Sequence, residues 1–130
     1  MDWKTVLGFR EDQIADLRSI GYAYAKEGLY ETAKKVFEAL TILVKTEVYD
    51  FQTLGAIYLE MGNHLKALET LDKALDLDPS HGPTQLCKAK AMLLLGYKNE
   101  ARRIISLLTT SSDPSVKGQS LALLQTYFGG

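Results

Sequence analysis

Cysteine is almost absent from this sequence. Cys87 is the single cysteine among 130 residues, so no disulfide can form within the chain. Disulfides are frequent in secreted domains and rare in cytosolic ones, where thiols are kept reduced. The cysteine content therefore predicts a protein of a reducing compartment, and we expect a cytoplasmic location.

Long apolar runs and net charge are lacking as well. The longest strongly apolar stretch, residues 91–95, is far shorter than the roughly 18 residues of a membrane helix, and residues 1–10 contain no signal-peptide core. Lys and Arg total 15, against 16 for Asp and Glu. Such a chain has no strong positive field of the kind that nucleic acids and anionic membranes attract. We expect neither of them as a partner.

Motifs for catalysis or metal binding are also missing. The chain has no GxxxxGK[ST], GxGxxG or HExxH motif, which are the usual phosphate-binding and zinc-binding patterns. His64 and His81 fall at a predicted turn and a predicted repeat exit, and are interpreted as solvated or capping residues. Cys87 is interpreted as a small buried apolar residue. We expect a protein that is not an enzyme and binds no metal and no cofactor.

What the sequence does contain is a repeat of 34 residues. Five sets of similar residues recur at this interval in one register. The sets are Gly21, Gly55 and Ala89; Tyr24, Tyr58 and Met92; Gly28, Gly62 and Gly96; Ala33, Ala67 and Ala101; and Phe37, Leu71 and Ile105. A fixed period of this length is typical of repeat architectures.

Each repeat is predicted to contain two helices, because apolar residues recur at helical spacing. The first helices are predicted at 13–26, 50–61 and 84–95, and the second at 30–43, 64–77 and 98–108. Gly28, Gly62 and Gly96 lie between the paired helices, where we expect the left-handed conformation. The small residues of the sets above let the helices approach closely, and the large ones, Tyr24 among them, fill the space beside them.

The chain is expected to form a single domain over residues 1–130. The predicted parts are an N-terminal arm at 1–13, repeats at 14–47, 48–81 and 82–115, and a capping helix at 114–128. The capping helix has an apolar stripe formed by Val116, Leu121, Leu124 and Phe128. The arm contains Trp3, Val6, Leu7 and Phe9. It either folds back as an N-terminal cap or docks on another chain, as in a homodimer.

This pattern resembles the tetratricopeptide repeat, a helix hairpin of 34 residues. The second repeat resembles it most fully. Its signature residues are Leu54, Gly55, Tyr58, Gly62, Ala67, Leu71, Ala74 and Pro79. The resemblance implies an all-α superhelical solenoid of three helix hairpins plus a C-terminal capping helix, with a concave surface lined by the first helices.

The predicted peptide-binding groove lies one helical turn away from the residues that pack on the second helices. Its residues are Arg18, Tyr22, Lys26, Tyr49, Gln52, Leu59, Leu86, Lys90 and Leu93. Tyrosine and leucine exposed on a concave surface are typical of a binding site for an extended peptide with apolar anchors. Some repeats of this family instead grip acidic C-terminal tails through Lys and Asn, but Tyr22 and Gln52 occupy the positions where Asn would be needed.

A narrower resemblance concerns the first repeat. The run Gly28-x-Tyr30-x-x-Ala33-x-x-x-Phe37-x-Ala39-Leu40 is similar to the first repeat of the small chaperones of bacterial type III secretion systems. This resemblance implies a cytoplasmic bacterial protein whose partner is a secreted translocator or needle subunit. It also makes a co-chaperone the alternative to a homodimer as the partner of the N-terminal arm. A hydrophobic segment of that client would lie in the groove before export. A generic repeat scaffold that joins proteins of another assembly remains the alternative.

Overall fold

The computed structural model describes residues 1–129, which form helices and connecting turns without a strand in that range. The helices are α1 (Trp3–Val6), α2 (Glu11–Lys26), α3 (Tyr30–Leu43), α4 (Val48–Glu60), α5 (His64–Leu77), α6 (Gly82–Leu95), α7 (Lys98–Leu108) and α8 (Pro114–Phe128). Helices α2, α4 and α6 each begin two residues earlier than predicted. The Glu47 side chain, for example, accepts a hydrogen bond from the Tyr49 backbone at the start of α4.

Helices α2 to α7 form three successive hairpins, and each hairpin packs on the next through its second helix. Helix α8 follows as a further helix against α7 and α6. The all-α prediction is therefore confirmed. The turns inside the hairpins contain Gly28, Gly62 and Gly96, with φ of 78°, 82° and 93°. These left-handed values confirm the predicted role of the three glycines, because other residues rarely adopt them.

Small residues allow the paired helices to approach each other closely. A Cβ atom placed on Gly55 would lie 2.6 Å from Cγ of Leu71, and one on Gly21 would lie 2.7 Å from Cε2 of Phe37. These distances are too short for a real carbon contact, so both positions require glycine. Leu71 and Phe37 are completely buried, as their set in the repeat predicts.

The repeat set of Tyr24 behaves differently in the first hairpin. Its equivalents Tyr58 and Met92 are 4% and 6% exposed, but Tyr24 itself is 36% exposed. Tyr58 is covered by the preceding hairpin and donates a hydrogen bond to Glu38 of α3 at 2.9 Å. Within residues 1–129 no hairpin covers the corresponding face of α2, so the prediction that Tyr24 fills a core position is wrong.

The N-terminal arm folds back onto the first hairpin. Helix α1 contacts α3, the Lys4 ammonium pairs with the Glu11 carboxylate, and Phe9 packs partly buried against the core of the first two hairpins. Val6 and Leu7 nevertheless remain about 60% exposed. The arm therefore covers the end of α3 and leaves an apolar surface of its own.

Candidate peptide-binding groove

Helices α2, α4, α6 and α8 follow one another on the same side of the molecule, and we call their shared surface the groove face. Polar side chains link each of these helices to the next. The Tyr22 hydroxyl accepts from Thr53 Oγ1 at 3.3 Å, Gln52 Nε2 donates to Cys87 Sγ at 3.4 Å, and Lys90 Nζ donates to Gln119 Oε1 at 3.0 Å. These bonds fix the spacing of α2, α4, α6 and α8 along the groove face.

The link between α2 and α4 is an ion pair. Arg18 Nε and Nη2 donate to the two carboxylate oxygens of Asp50, each at 2.8 Å. Asp50 is completely buried, whereas the Arg18 side chain remains 26% exposed. The hydrogen bonds to Asp50 raise the pKa of Arg18, and the negative charges of Asp50 and Glu47 act in the same direction. Arg18 therefore lies on the groove face, but most of its charge is already balanced.

Two predicted groove residues, Tyr22 and Tyr49, are exposed at the N-terminal part of the groove face. Tyr22 is 40% exposed and Tyr49 is 49% exposed. The Tyr22 ring meets Phe37 edge-on at 5.1 Å between centroids, and the Tyr49 ring meets His81 edge-on at 4.6 Å. Each ring is thus braced on one side, which limits its rotation and leaves the other side available for an apolar ligand.

The C-terminal part of the groove face contains a cavity of about 280 Å³ between α4, α6 and α8. It brings together three predicted residues, Leu59, Lys90 and Leu93. Its complete lining is Leu59, Glu60, Lys90, Leu93, Leu94, Leu123 and Tyr127. Tyr127 and Leu123 belong to α8 and were not among the predicted site residues. The repeat interval could have identified Tyr127, which follows Leu93 by 34 residues.

One predicted groove residue, Leu86, belongs to the core instead. Leu86 is only 3% exposed and packs with Leu108 and Val116. Helix α8 starts beside the beginning of α6, where Val116 lies next to Gly82, and it covers the face on which Leu86 was expected to be open. The prediction that Leu86 is a groove anchor is therefore wrong.

The remaining predicted groove residues differ in accessibility. Lys26 is exposed near the end of α2, and Gln52 is partly buried because its amide is engaged with Cys87. Leu93 is only 9% exposed, so its side chain forms the floor of the cavity. The neighbouring Leu94, at 53% exposed, presents more apolar surface to a ligand.

Cys87 and His81 lie just beneath the groove face. Cys87 is buried, as predicted. His81 is the N-cap residue of α6, but it is buried rather than solvated, because Tyr49 covers its ring. Its Nδ1 atom lies 2.7 Å from the Thr84 hydroxyl, while Nε2 finds no hydrogen-bond partner in residues 1–129.

Residues 1–129 contain no group of three His, Cys, Asp or Glu side chains placed to hold a metal ion. Among the helices described, none is both long enough and apolar enough to cross a membrane.

Sequence comparison identifies the repeats. Residues 49–81 and residues 19–41 match two family models of the tetratricopeptide repeat. A comparison with curated proteins finds no match. Two of the three predicted repeats are therefore recognised as tetratricopeptide repeats, as the 34-residue period predicts.

Solved structures match almost the whole chain. The translocator chaperone SycD of Yersinia enterocolitica is 22% identical, with a TM-score of 0.84 over 95% of this chain and 96% of SycD. PcrH in complex with the chaperone binding region of PopD is 22% identical, with a TM-score of 0.83 over 94% and 96%; PcrH is a Pseudomonas aeruginosa protein. SycD with a peptide of the translocator YopD is 24% identical, with a TM-score of 0.82 over 92% and 93%. The fold of this chain is thus the fold of these chaperones.

Proposed function

We propose that this chain is a chaperone of a bacterial type III secretion system. In this proposal it binds an extended hydrophobic segment of an export client, a translocator or a needle subunit, along the groove face. The client stays soluble and unassembled in the cytoplasm until export. The chaperone acts by covering apolar surface and performs no catalysis.

The observation that carries the proposal is the end-to-end similarity of fold to SycD and PcrH, both of which have been solved with a bound client segment. The surface of this chain is consistent with the same use. Exposed aromatic rings at Tyr22 and Tyr49 are followed along the groove face by the exposed apolar side chains of Leu94 and Tyr127, which line the cavity. Separate apolar sites along one face suit an extended segment with spaced hydrophobic side chains.

The surface also explains how release can follow binding. The cavity has a partly polar lining, since Lys90 and Glu60 contribute to it. A few buried anchors usually supply most of the affinity of such an interface. Pulling one anchor out of its site would then weaken the remaining contacts, which allows an export apparatus to strip the client without ATP hydrolysis by the chaperone.

The proposal is tested by co-expressing this chain with PopD, PopB or YopD, the clients of the similar structures. We expect at least one client to remain soluble and to elute with the chain in gel filtration. Leu94→Glu should abolish this complex, because a carboxylate would replace the most exposed leucine of the cavity. Leu107→Glu is the matched control, since Leu107 is 71% exposed on α7, away from the groove face.

Two results would contradict the proposal. One is that all three clients precipitate as fully with the chain as without it. The other is that Leu107→Glu abolishes the complex and Leu94→Glu does not, which would place the client on the opposite face and favour a scaffold that uses another surface.

A further inference from the structure

Arg18 is held on the groove face by a buried partner. Asp50, in the first turn of α4, is completely buried and receives both Nε and Nη2 of Arg18. A buried carboxylate needs such a partner, because an unpaired charge in the interior is costly. The planar guanidinium therefore has a fixed direction, set by two parallel hydrogen bonds.

The same geometry leaves one nitrogen of Arg18 available. Nη1 makes no hydrogen bond to any of the residues 1–129, and the Arg18 side chain is 26% exposed. One helical turn further along α2, the exposed Tyr22 ring lies at the same boundary with α4, bonded to Thr53. An oriented donor thus lies next to an apolar anchor on the surface that the proposed function assigns to the client.

The charges around Arg18 determine which ligand groups its free N–H can bind. Asp50 balances the guanidinium, and Glu47 adds a second negative charge that acts on the same group. An acidic side chain of a ligand would be attracted by the guanidinium but repelled by the carboxylates of Asp50 and Glu47. A neutral acceptor can accept a hydrogen bond from the free N–H group without that repulsion.

We infer that Arg18 donates Nη1–H to a main-chain carbonyl of the bound extended peptide, and that Asp50 and Glu47 exclude acidic side chains from this position. This inference rests on the proposed function and adds a specificity rule to it: the client segment is neutral or basic where it crosses from α2 to α4. Such a rule separates this groove from repeats that grip acidic tails.

The test compares peptides selected by two forms of the full chain. A phage-displayed library of random peptides is selected in parallel on the wild type and on Asp50→Asn, and both pools are sequenced. We expect apolar peptides poor in Asp and Glu from the wild type. Asp50→Asn removes the negative charge that balances the Arg18 guanidinium. The peptides selected on this variant should therefore be enriched several-fold in Asp and Glu. Asp76→Asn is the matched control, because it makes the same change of charge at an exposed position of α5, outside the groove face, and its pool should resemble the wild-type pool.

A second variant keeps the inference testable if Asp50→Asn does not fold. Arg18→Met combined with Asp50→Leu replaces the ion pair by apolar groups, which buried sites often tolerate. This double variant should melt cooperatively and bind a peptide from the wild-type pool about tenfold more weakly, as expected for one lost charged hydrogen bond.

The outcomes separate the two proposals. Acidic peptides in the wild-type pool, or unchanged affinity in the folded double variant, would overturn the inference and leave the proposed function in place. A wild-type chain that selects no peptide at all would overturn the proposed function together with the inference.

Discussion

Glycines inside helices have opposite effects in this molecule, depending on what surrounds them. Gly55 of α4 faces Leu71, and a Cβ there would lie 2.6 Å from Leu71 Cγ. Gly118 lies in α8 with no atom within 4 Å of the position that a Cβ would occupy. The first glycine is required by packing, whereas the second only lowers helix propensity.

The same substitution at these two glycines should therefore change stability in opposite directions. Gly55→Ala should lower the free energy of unfolding by about 1–3 kcal/mol, because it forces the hairpin apart. Gly118→Ala should raise it by about 0.5–1 kcal/mol. Urea denaturation followed by circular dichroism measures both values. Equal effects from the two variants would show that the close packing of α4 on α5 is not what requires Gly55.

Tyr58 provides a pH-dependent prediction at the same scale. Its burial and its hydrogen bond to Glu38 raise the pKa of Tyr58 well above its usual range. The folded state therefore binds the phenolic proton more tightly than the unfolded state. The resulting stabilisation is complete below the unfolded pKa of about 10 and is lost as the pH rises above it.

We expect the unfolding free energy of the wild type to fall more steeply above pH about 10 than that of Tyr58→Phe. Denaturation at a series of alkaline pH values measures the two slopes. Ultraviolet titration of the seven tyrosines should also show one group that ionises only as the protein unfolds. Tyr97→Phe is the control, because Tyr97 is 54% exposed. Parallel slopes for the wild type and Tyr58→Phe would contradict the prediction.

Among the elements, α8 shows most clearly how far the sequence could predict the structure. Its bounds follow from Asp113, whose carboxylate caps the helix, and from its apolar residues. Its apolar stripe was predicted less well: Val116 is buried, but Leu121 is 48% exposed and Leu123 packs in its place. Helical periodicity identifies an apolar face, but the exact rotation of the helix depends on the hairpin that it meets.

Leu86 tests the role of α8 as a cover. Leu86→Ala should lower the unfolding free energy by about 2–5 kcal/mol, because it leaves a cavity between α6, α7 and α8. Leu94→Ala, on the same helix, should change stability by less than about 0.5 kcal/mol and weaken peptide binding instead. Chemical denaturation and calorimetry with a selected peptide separate the two effects. If Leu86→Ala kept full stability and lost peptide binding, Leu86 would be a groove anchor after all.

At the scale of the whole molecule, the 34-residue period was sufficient to predict three hairpins and the glycine turns between their helices. It could not predict differences between equivalent positions. Arg18 and Gln52 are equivalent by sequence, yet one pairs with a buried carboxylate and the other with a thiol. These partners lie more than thirty residues away, and a local pattern contains no information about them.

The period also predicts equal burial at equivalent positions of successive hairpins, but the first hairpin differs from the second. Ile20 and Tyr24 of α2 are 49% and 36% exposed, whereas their equivalents Leu54 and Tyr58 are about 5% exposed. The arm adds Val6 and Leu7 to the apolar surface at this end. Because later hairpins bury the same face of their first helix, we expect a second copy of the chain to cover it here.

This expectation gives the last prediction. Light scattering during gel filtration should give the wild type twice the monomer mass at micromolar concentration. Ile20→Glu combined with Tyr24→Glu should give a folded monomer, because the charges replace apolar contacts at the exposed edge. Removing residues 1–7 should weaken the dimer and keep Phe9 in the core. Leu107→Glu should leave the dimer intact, since it changes an apolar residue at the other end. A wild type that remains monomeric at every concentration would show that the open edge of α2 is stable in water by itself.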